Sequence, residues 1–275
     1  MRATNLPDVE KIGMSLEERT VVIDRADTLF SSTTRRNFLR TMGVGGSIVM
    51  LPSLFAACNN DDPGITGTNN NTTYTLNLSD DIGILNYAYA LEQLEAAYYT
   101  AAITSPGFSQ LSADEKEVLT DLQKHEVIHR EFFKKVLADK AIPAINFNTT
   151  TVGTLTASRA VLLSTSQLLE DTGVSAYNGA GKYLKSSAYL LLAGKIVSVE
   201  ARHASAIRDI RDGANGRLFA GDDVVNTTTG LDVKAEPGTV GGAVNSLKVI
   251  LGTIAIGTPP DATKNTPDAP APTPV

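Results

Sequence analysis

The chain has no tryptophan, one cysteine and three histidines among its 275 residues. A single cysteine excludes an intrachain disulfide. The net charge of −6 and the lack of a basic stripe give no reason to expect a nucleic-acid partner. Hydrophobic residues make up 42% and charged residues 20% of the chain, an ordinary globular balance. The length suits one large domain with tails, or two small domains.

The first 57 residues resemble an export signal. Residues 34–40 contain Arg35 and Arg36 and resemble a twin-arginine motif. The apolar stretch that follows, residues 42–57, is interrupted by Pro52 and is too short for a comfortable membrane span. We therefore predict that the protein is exported and that residues 1–57 lie outside its fold.

The cysteine lies where a lipid would be attached. Residues 54–58 resemble a bacterial lipoprotein cleavage box, although Phe55 stands where leucine is commoner. Lipidation of Cys58 would anchor the protein to a membrane of the bacterial cell envelope, facing the periplasm or in the outer membrane. A free-thiol role for Cys58 is the alternative. The long segment before the arginines leaves both Met1 and Met14 as starts.

Composition divides the rest of the chain into three parts. Residues 58–79 are rich in Asn, Asp, Thr and Gly and are predicted to be a flexible tether. Residues 80–256 carry the periodic hydrophobic pattern of a folded domain. Residues 257–275 are rich in proline and threonine and are predicted to be disordered.

Four long helices are predicted in the folded domain, over residues 81–103, 112–140, 156–181 and 186–211. Ser112 and Glu115 have the spacing of a capping box at the start of the second helix. A short fifth helix over residues 240–251 is predicted to pack on the bundle. The fold class is therefore all-α.

The connections predict the topology of this bundle. Short turns join the first helix to the second and the third to the fourth, so each pair is antiparallel. Residues 141–154 between the pairs span roughly 45 Å when extended, at ~3.3 Å per residue. A 25-residue helix is only ~38 Å long. One long crossover can therefore set the second and third helices parallel.

Acidic residues and histidines recur once per helix, in the order Glu, Glu-x-x-His, Glu, Glu-x-x-His: Glu92, Glu126 with His129, Glu170, and Glu200 with His203. Each group shares a helical face with apolar residues. A carboxylate buried on such a face is costly unless it is compensated. Two divalent cations would balance four carboxylates while both histidines stay neutral. The order is the ligand pattern of dinuclear metal sites in four-helix bundles.

Four further residues are predicted to support these ligands. Tyr99 and Tyr177 follow the lone glutamates at the same spacing, two helical turns on, and each can hydrogen-bond the carboxylate before it. Glu95 lies one turn from Glu92 and is interpreted as a supporting or surface acid. His125 is offset from the ligand face and is interpreted as a support or a boundary residue.

Several segments resemble the ferritin-like family that includes desiccation-related proteins: residues 81–86, 91–96, 125–129, 169–177 and 200–203. The resemblance covers about residues 80–211, and residues 230–251 more weakly. It implies a ferritin-like four-helix bundle with one long crossover and a short C-terminal helix, able to hold two metal ions. It does not imply a settled reaction.

Three functions remain open at this point. A site of oxygen and nitrogen donors favours two iron or manganese ions and redox chemistry, either peroxide disproportionation or oxidation of ferrous iron. A non-catalytic envelope protein of stress or desiccation, with structural metal or none, is the second. The third is a zinc metalloprotease, because residues 125–129 also read His-Glu-x-x-His. The sequence predicts no oligomeric state.

Overall fold

The computed structural model describes residues 72–213 and 215–262. The predicted export signal with Arg35 and Arg36, the lipidation site Cys58 and most of the predicted disordered tail lie outside the described residues. Seven α-helices and two strands are found in the described part: β1 Thr73–Leu76, α1 Asp81–Ala102, α2 Pro106–Ser109, α3 Ala113–Leu137, α4 Thr149–Leu155, α5 Arg159–Ala180, α6 Ser187–Arg211, α7 Pro237–Ser246 and β2 Thr253–Ile256.

Polar caps fix where the four long helices α1, α3, α5 and α6 begin. Asp80 Oδ1 accepts from the backbone N–H of Gly83 at 2.8 Å. The predicted capping box is present, since Glu115 Oε2 accepts from Ser112 N at 2.8 Å and Ser112 Oγ accepts from Glu115 N at 3.2 Å. Serines also cap α5 and α6. Each cap satisfies an amide that the helix itself leaves without an acceptor.

Hydrogen bonds between the helices establish their directions. Near the end of α1, Tyr98 donates to the carbonyl of Leu162 at the start of α5, at 2.9 Å, so these helices are antiparallel. The start of α1 contacts the turn after α3, where Asn86 Nδ2 donates to the carbonyl of Lys140 at 2.9 Å. Because α1 is antiparallel to both, α3 and α5 are parallel, and the predicted crossover topology is confirmed.

The crossover is held along α1 by two buried amides. Asn86 Oδ1 accepts from Ile142 N at 2.7 Å, and Gln93 Oε1 accepts from Ile145 N at 2.9 Å. The prediction of a plain connector was incomplete, because Asn148 caps the short helix α4 within it. The third long helix consequently begins at Arg159 instead of residue 156.

A small parallel sheet was not predicted. β1 pairs with β2, with Thr73 opposite Thr253 and Leu76 opposite Ile256. The predicted tether, residues 58–79, is wrong for its last residues, because Tyr74, Leu76 and Leu78 are buried in the core.

At the other end of the chain, Gly257 N donates to the carbonyl of Leu76 at 2.8 Å, so the first residue of the predicted tail belongs to the fold. The predicted fifth helix is present as α7, a few residues earlier than expected, because Pro237 occupies its first turn. Among the described helices, none is both long and apolar enough to cross a membrane.

Candidate metal centre

The bundle brings all six predicted ligands together at its centre. They form two overlapping groups whose ligand atoms lie within 4.8 Å of one another: Glu92, Glu126, His129 and Glu200, and then Glu126, Glu170, Glu200 and His203. Glu126 and Glu200 occur in both groups. If the site held two ions, these two carboxylates would be shared between them, and each remaining Glu–His pair would hold one ion.

Each histidine directs Nδ1 at three carboxylates. His129 Nδ1 lies 2.8 Å from Glu200, 3.4 Å from Glu92 and 3.6 Å from Glu126. His203 Nδ1 lies 2.7 Å from Glu126, 3.4 Å from Glu200 and 3.5 Å from Glu170. The His129 half and the His203 half of the site repeat the same arrangement. This is expected when two helix pairs, α1 with α3 and α5 with α6, each donate half of a site.

The site is buried but its polar atoms are not satisfied within the protein. The four glutamate side chains are fully buried, and those of His129 and His203 are 13% and 4% exposed. Among the described residues, all but two of the buried side-chain polar atoms without a hydrogen-bond partner belong to these six residues. Native proteins rarely leave such atoms alone, so a concentration of them points to a ligand.

The tyrosines cross between the two halves. Tyr99 on α1 donates to Glu170 Oε1 on α5 at 2.6 Å, and Tyr177 on α5 donates to Glu92 Oε1 on α1. The prediction that each tyrosine bonds the glutamate on its own helix was wrong, because two turns put about 10 Å between them along the axis. In both cases the other carboxylate oxygen, Oε2, remains free to bind a metal.

Burial and mutual charge shift the pKa values of several of the six candidate ligands, in opposite directions. Burial and the charge of Glu200 raise the pKa of Glu126 to about 8. Burial alone would lower the pKa of His203, but the adjacent carboxylates outweigh it and raise that pKa to about 12. The pKa of Glu200 shifts in the opposite direction. Burial alone would raise it, but the two histidines outweigh burial and lower it to about 2. A metal that bound here would have to displace the protons of Glu126 and His203.

Glu95 is buried rather than on the surface, with 3% exposure, and it belongs to neither ligand group. Burial, followed by the four ligand carboxylates, raises its pKa well above the usual value. Gly173 on α5 lies opposite, where a Cβ would come within 2.9 Å of Glu95 Oε1. The neutral form of this carboxyl is therefore favoured beside the centre.

His125 contacts the candidate ligand His203 but belongs to neither ligand group itself. Its Nδ1 lies 2.9 Å from His203 Nε2, and the two rings stack. A metal held by His203 Nδ1 would leave Nε2 protonated, and this N–H would then donate to His125. The zinc metalloprotease reading requires His125 and His129 on one ion, yet His125 is in neither group of candidate ligands. The structure therefore favours the hypothesis of a dinuclear metal site over that of a zinc metalloprotease.

One neighbouring cluster was missed at the sequence level. Arg208 on α6 is only 3% exposed and pairs with Asp171 at 2.7 Å and Asp223 at 2.7 Å. Asp171 directly follows the candidate ligand Glu170. The helical positions of Asp171 and Arg208 could have suggested that these two residues pair. The pairing with Asp223 had no signal in the sequence, because Asp223 lies in a loop, which has no periodicity.

The residues present fit a pair of divalent cations. Carboxylate oxygens and imidazole nitrogens are the donors that iron and manganese accept, the free oxygens point inward, and four negative charges match two divalent ions. Searches of curated proteins and of solved structures found no match to this chain. Residues 80–212 do match a family model described as a ferritin-like domain. The four-helix bundle that carries the six candidate ligands therefore has a ferritin-like fold.

Proposed function

We propose that the domain holds a carboxylate-bridged dinuclear centre of iron or manganese and uses it for redox chemistry on hydrogen peroxide or on ferrous iron. The observation that carries the proposal is the overlap of the two ligand groups at Glu126 and Glu200. A mononuclear site would leave two buried carboxylates without a counter-charge, which is costly. A second ion removes that cost.

The metals would supply two one-electron redox centres within one buried site. In peroxide disproportionation, one hydrogen peroxide loses two electrons and two protons and becomes dioxygen. A second hydrogen peroxide accepts both and becomes two waters. The chain's own part is to hold the ligands rigidly, through Tyr99 and Tyr177, and to bury the reacting atoms away from bulk water.

Export and membrane anchoring belong to the same proposal. A twin-arginine signal suits a protein that folds before export, so a buried centre would take up its metal in the cytoplasm. A lipid on Cys58 would then keep the domain at the bacterial envelope. Metal ions and a small-molecule oxidant are the partners that this function requires.

The first test is metal analysis of the purified protein from cells grown with iron and manganese. We expect about two ions per chain in the wild type. Glu126→Gln keeps the side-chain shape and should lose most of that metal. Glu117→Gln is the matched control, because Glu117 is an exposed residue of the same helix.

The second test is oxygen evolution from hydrogen peroxide, followed by oxidation of added ferrous iron. Activity in the wild type and in Glu117→Gln, but not in Glu126→Gln, supports the proposal and identifies the reaction. Fewer than about 0.2 ions per chain, with no thermal stabilisation on adding metal, would favour the non-catalytic stress protein instead. Two bound ions without either reaction would make the metal structural.

A further inference from the structure

A cavity of about 100 Å³ lies between α1, α5 and α7. Exposed residues form its outer end, among them Leu168, Ala243 and Ser246. Its inner end is formed by Glu95 and Gly173, which are buried. We propose that this cavity admits hydrogen peroxide to the metal centre and that Glu95 positions it there. This inference rests on the proposed redox function.

The position of the cavity connects it with the centre. Leu91 and Leu169 line it, and each is the neighbour in sequence of a candidate ligand, Glu92 or Glu170. Glu95 faces the cavity and interacts electrostatically with all four ligand carboxylates. Glu95 therefore belongs both to the lining of the cavity and to the electrostatic surroundings of the candidate ligands.

The lining selects a small neutral molecule. Most of it is leucine, alanine and valine, so a hydrated ferrous ion or an anion would lose its solvation there without compensation. A water-sized molecule needs roughly 10–15 Å³ of such space, so hydrogen peroxide fits. The bulky tert-butyl group of an alkyl hydroperoxide fits poorly. The carboxyl of Glu95 is the polar group that can hydrogen-bond the peroxide at the inner end.

Gly173 keeps the inner end open. An alanine Cβ there would come within 2.9 Å of Glu95 Oε1, so the Glu95 side chain would have to move. Gly194 provides the matched control on α6, because no atom lies within 4 Å of a Cβ added there. Ala243→Trp tests the outer end independently, from an exposed position on α7.

The experiment uses the iron-loaded protein and two readouts. The first is the rate at which nitric oxide, a small neutral probe, binds the ferrous centre, followed by its absorption and electron paramagnetic resonance signals. The second is peroxide consumption against concentration. Gly173→Ala and Ala243→Trp should slow nitric oxide binding severalfold and raise KM, with metal content and kcat unchanged. Gly194→Ala should match the wild type.

Two substitutions test the role of Glu95, one conservative and one that removes its polar group. Glu95→Gln retains hydrogen bonding and should keep KM near the wild-type value, whereas Glu95→Leu should raise it at unchanged metal content. In the wild type, tert-butyl hydroperoxide should react far more slowly than hydrogen peroxide.

The outcomes separate the two proposals. A wild type that binds no metal pair, or binds it without reacting, ends the proposed function. A reactive wild type whose Gly173→Ala and Ala243→Trp variants keep its nitric oxide rate and KM overturns the cavity inference alone. Equal rates with both hydroperoxides would also overturn it.

Discussion

Two charge clusters share the helices α5 and α6. In the first, Arg208 donates from Nε and Nη2 to Asp171, at 2.8 and 2.7 Å, and from Nη1 and Nη2 to Asp223, at 3.0 and 2.7 Å. In the second, two histidines face four carboxylates, and most of their inward-facing atoms lack a hydrogen bond within the described chain. The adjacent residues Glu170 and Asp171 belong to different clusters.

This difference in hydrogen bonding distinguishes an ion-pair network that stabilises the fold from a set of candidate metal ligands. Arg208 makes two hydrogen bonds to each of its two carboxylates, so the Arg208 cluster has its hydrogen-bond partners within the protein. The glutamate–histidine cluster has buried oxygen and nitrogen atoms without hydrogen-bond partners among the described residues, in two overlapping groups that could hold a metal. Arg208 is as buried as the candidate ligands, so the burial of a charged side chain does not by itself distinguish the two clusters.

The largest expected effect is stabilisation of the second cluster by metal. Manganese or ferrous iron at a thousand times the dissociation constant should stabilise the domain by about 4 kcal/mol. Calorimetric melting with metal and with a chelator measures this shift. Glu126→Gln should abolish most of it, while Glu117→Gln should keep it. An equal shift in Glu126→Gln would show that the metal binds elsewhere.

The next effect is on the first cluster. Arg208→Met keeps the apolar stem but leaves Asp171 partly buried without its cation. Breaking a buried pair costs about 3–5 kcal/mol, and the 63% exposure of the Asp223 side chain puts this case at the lower end. Urea unfolding of the chelated protein measures the loss. Metal stoichiometry should stay at the wild-type value, and its loss would show that the two clusters are not independent.

A smaller effect is expected from the tyrosines that hold the terminal carboxylates. Tyr99→Phe and Tyr177→Phe should each weaken metal binding about 10–100-fold, because the carboxylate loses the hydrogen bond that orients it. Tyr98→Phe is the control, since Tyr98 is equally buried but donates to the backbone of Leu162. Titration with a competing chelator gives the three affinities. Equal affinities in all three variants would contradict this role.

Patterns within single helices were readable from the sequence. The Glu-x-x-His pairs face inward because residues three apart share a helical face, and the Ser112 capping box appeared as predicted. The hydrogen bonds that Tyr99 and Tyr177 make to the opposite helix could not be predicted from the sequence, because they depend on the antiparallel packing of α1 and α5. The alternating burial of Tyr74, Leu76 and Leu78 was a period-two signal that the surrounding polar residues obscured.

Contacts between distant segments were the least predictable. The partner of Arg208 in the loop, Asp223, follows no periodic pattern, and the cavity beside Glu95 exists only where three helices meet. Gly173 gave a weak signal, since a glycine inside a helix lowers helix propensity and needs a packing reason. Its reason is the Glu95 carboxyl opposite.

The smallest expected effect is the pH dependence of the stability that the Arg208 cluster contributes. Hydrogen bonds from Arg208 lower the pKa of Asp223 below its ordinary value of 3.8. This contribution to stability is therefore present above pH 3.8 and is lost as the pH falls through the lowered pKa. Because Asp223 is mostly exposed, Asp223→Asn should cost less than about 1 kcal/mol at neutral pH. Urea unfolding of the chelated protein should show the variant and the wild type converging below about pH 4. A difference that grows on acidification would contradict the assignment of this carboxylate to the completed ion-pair network.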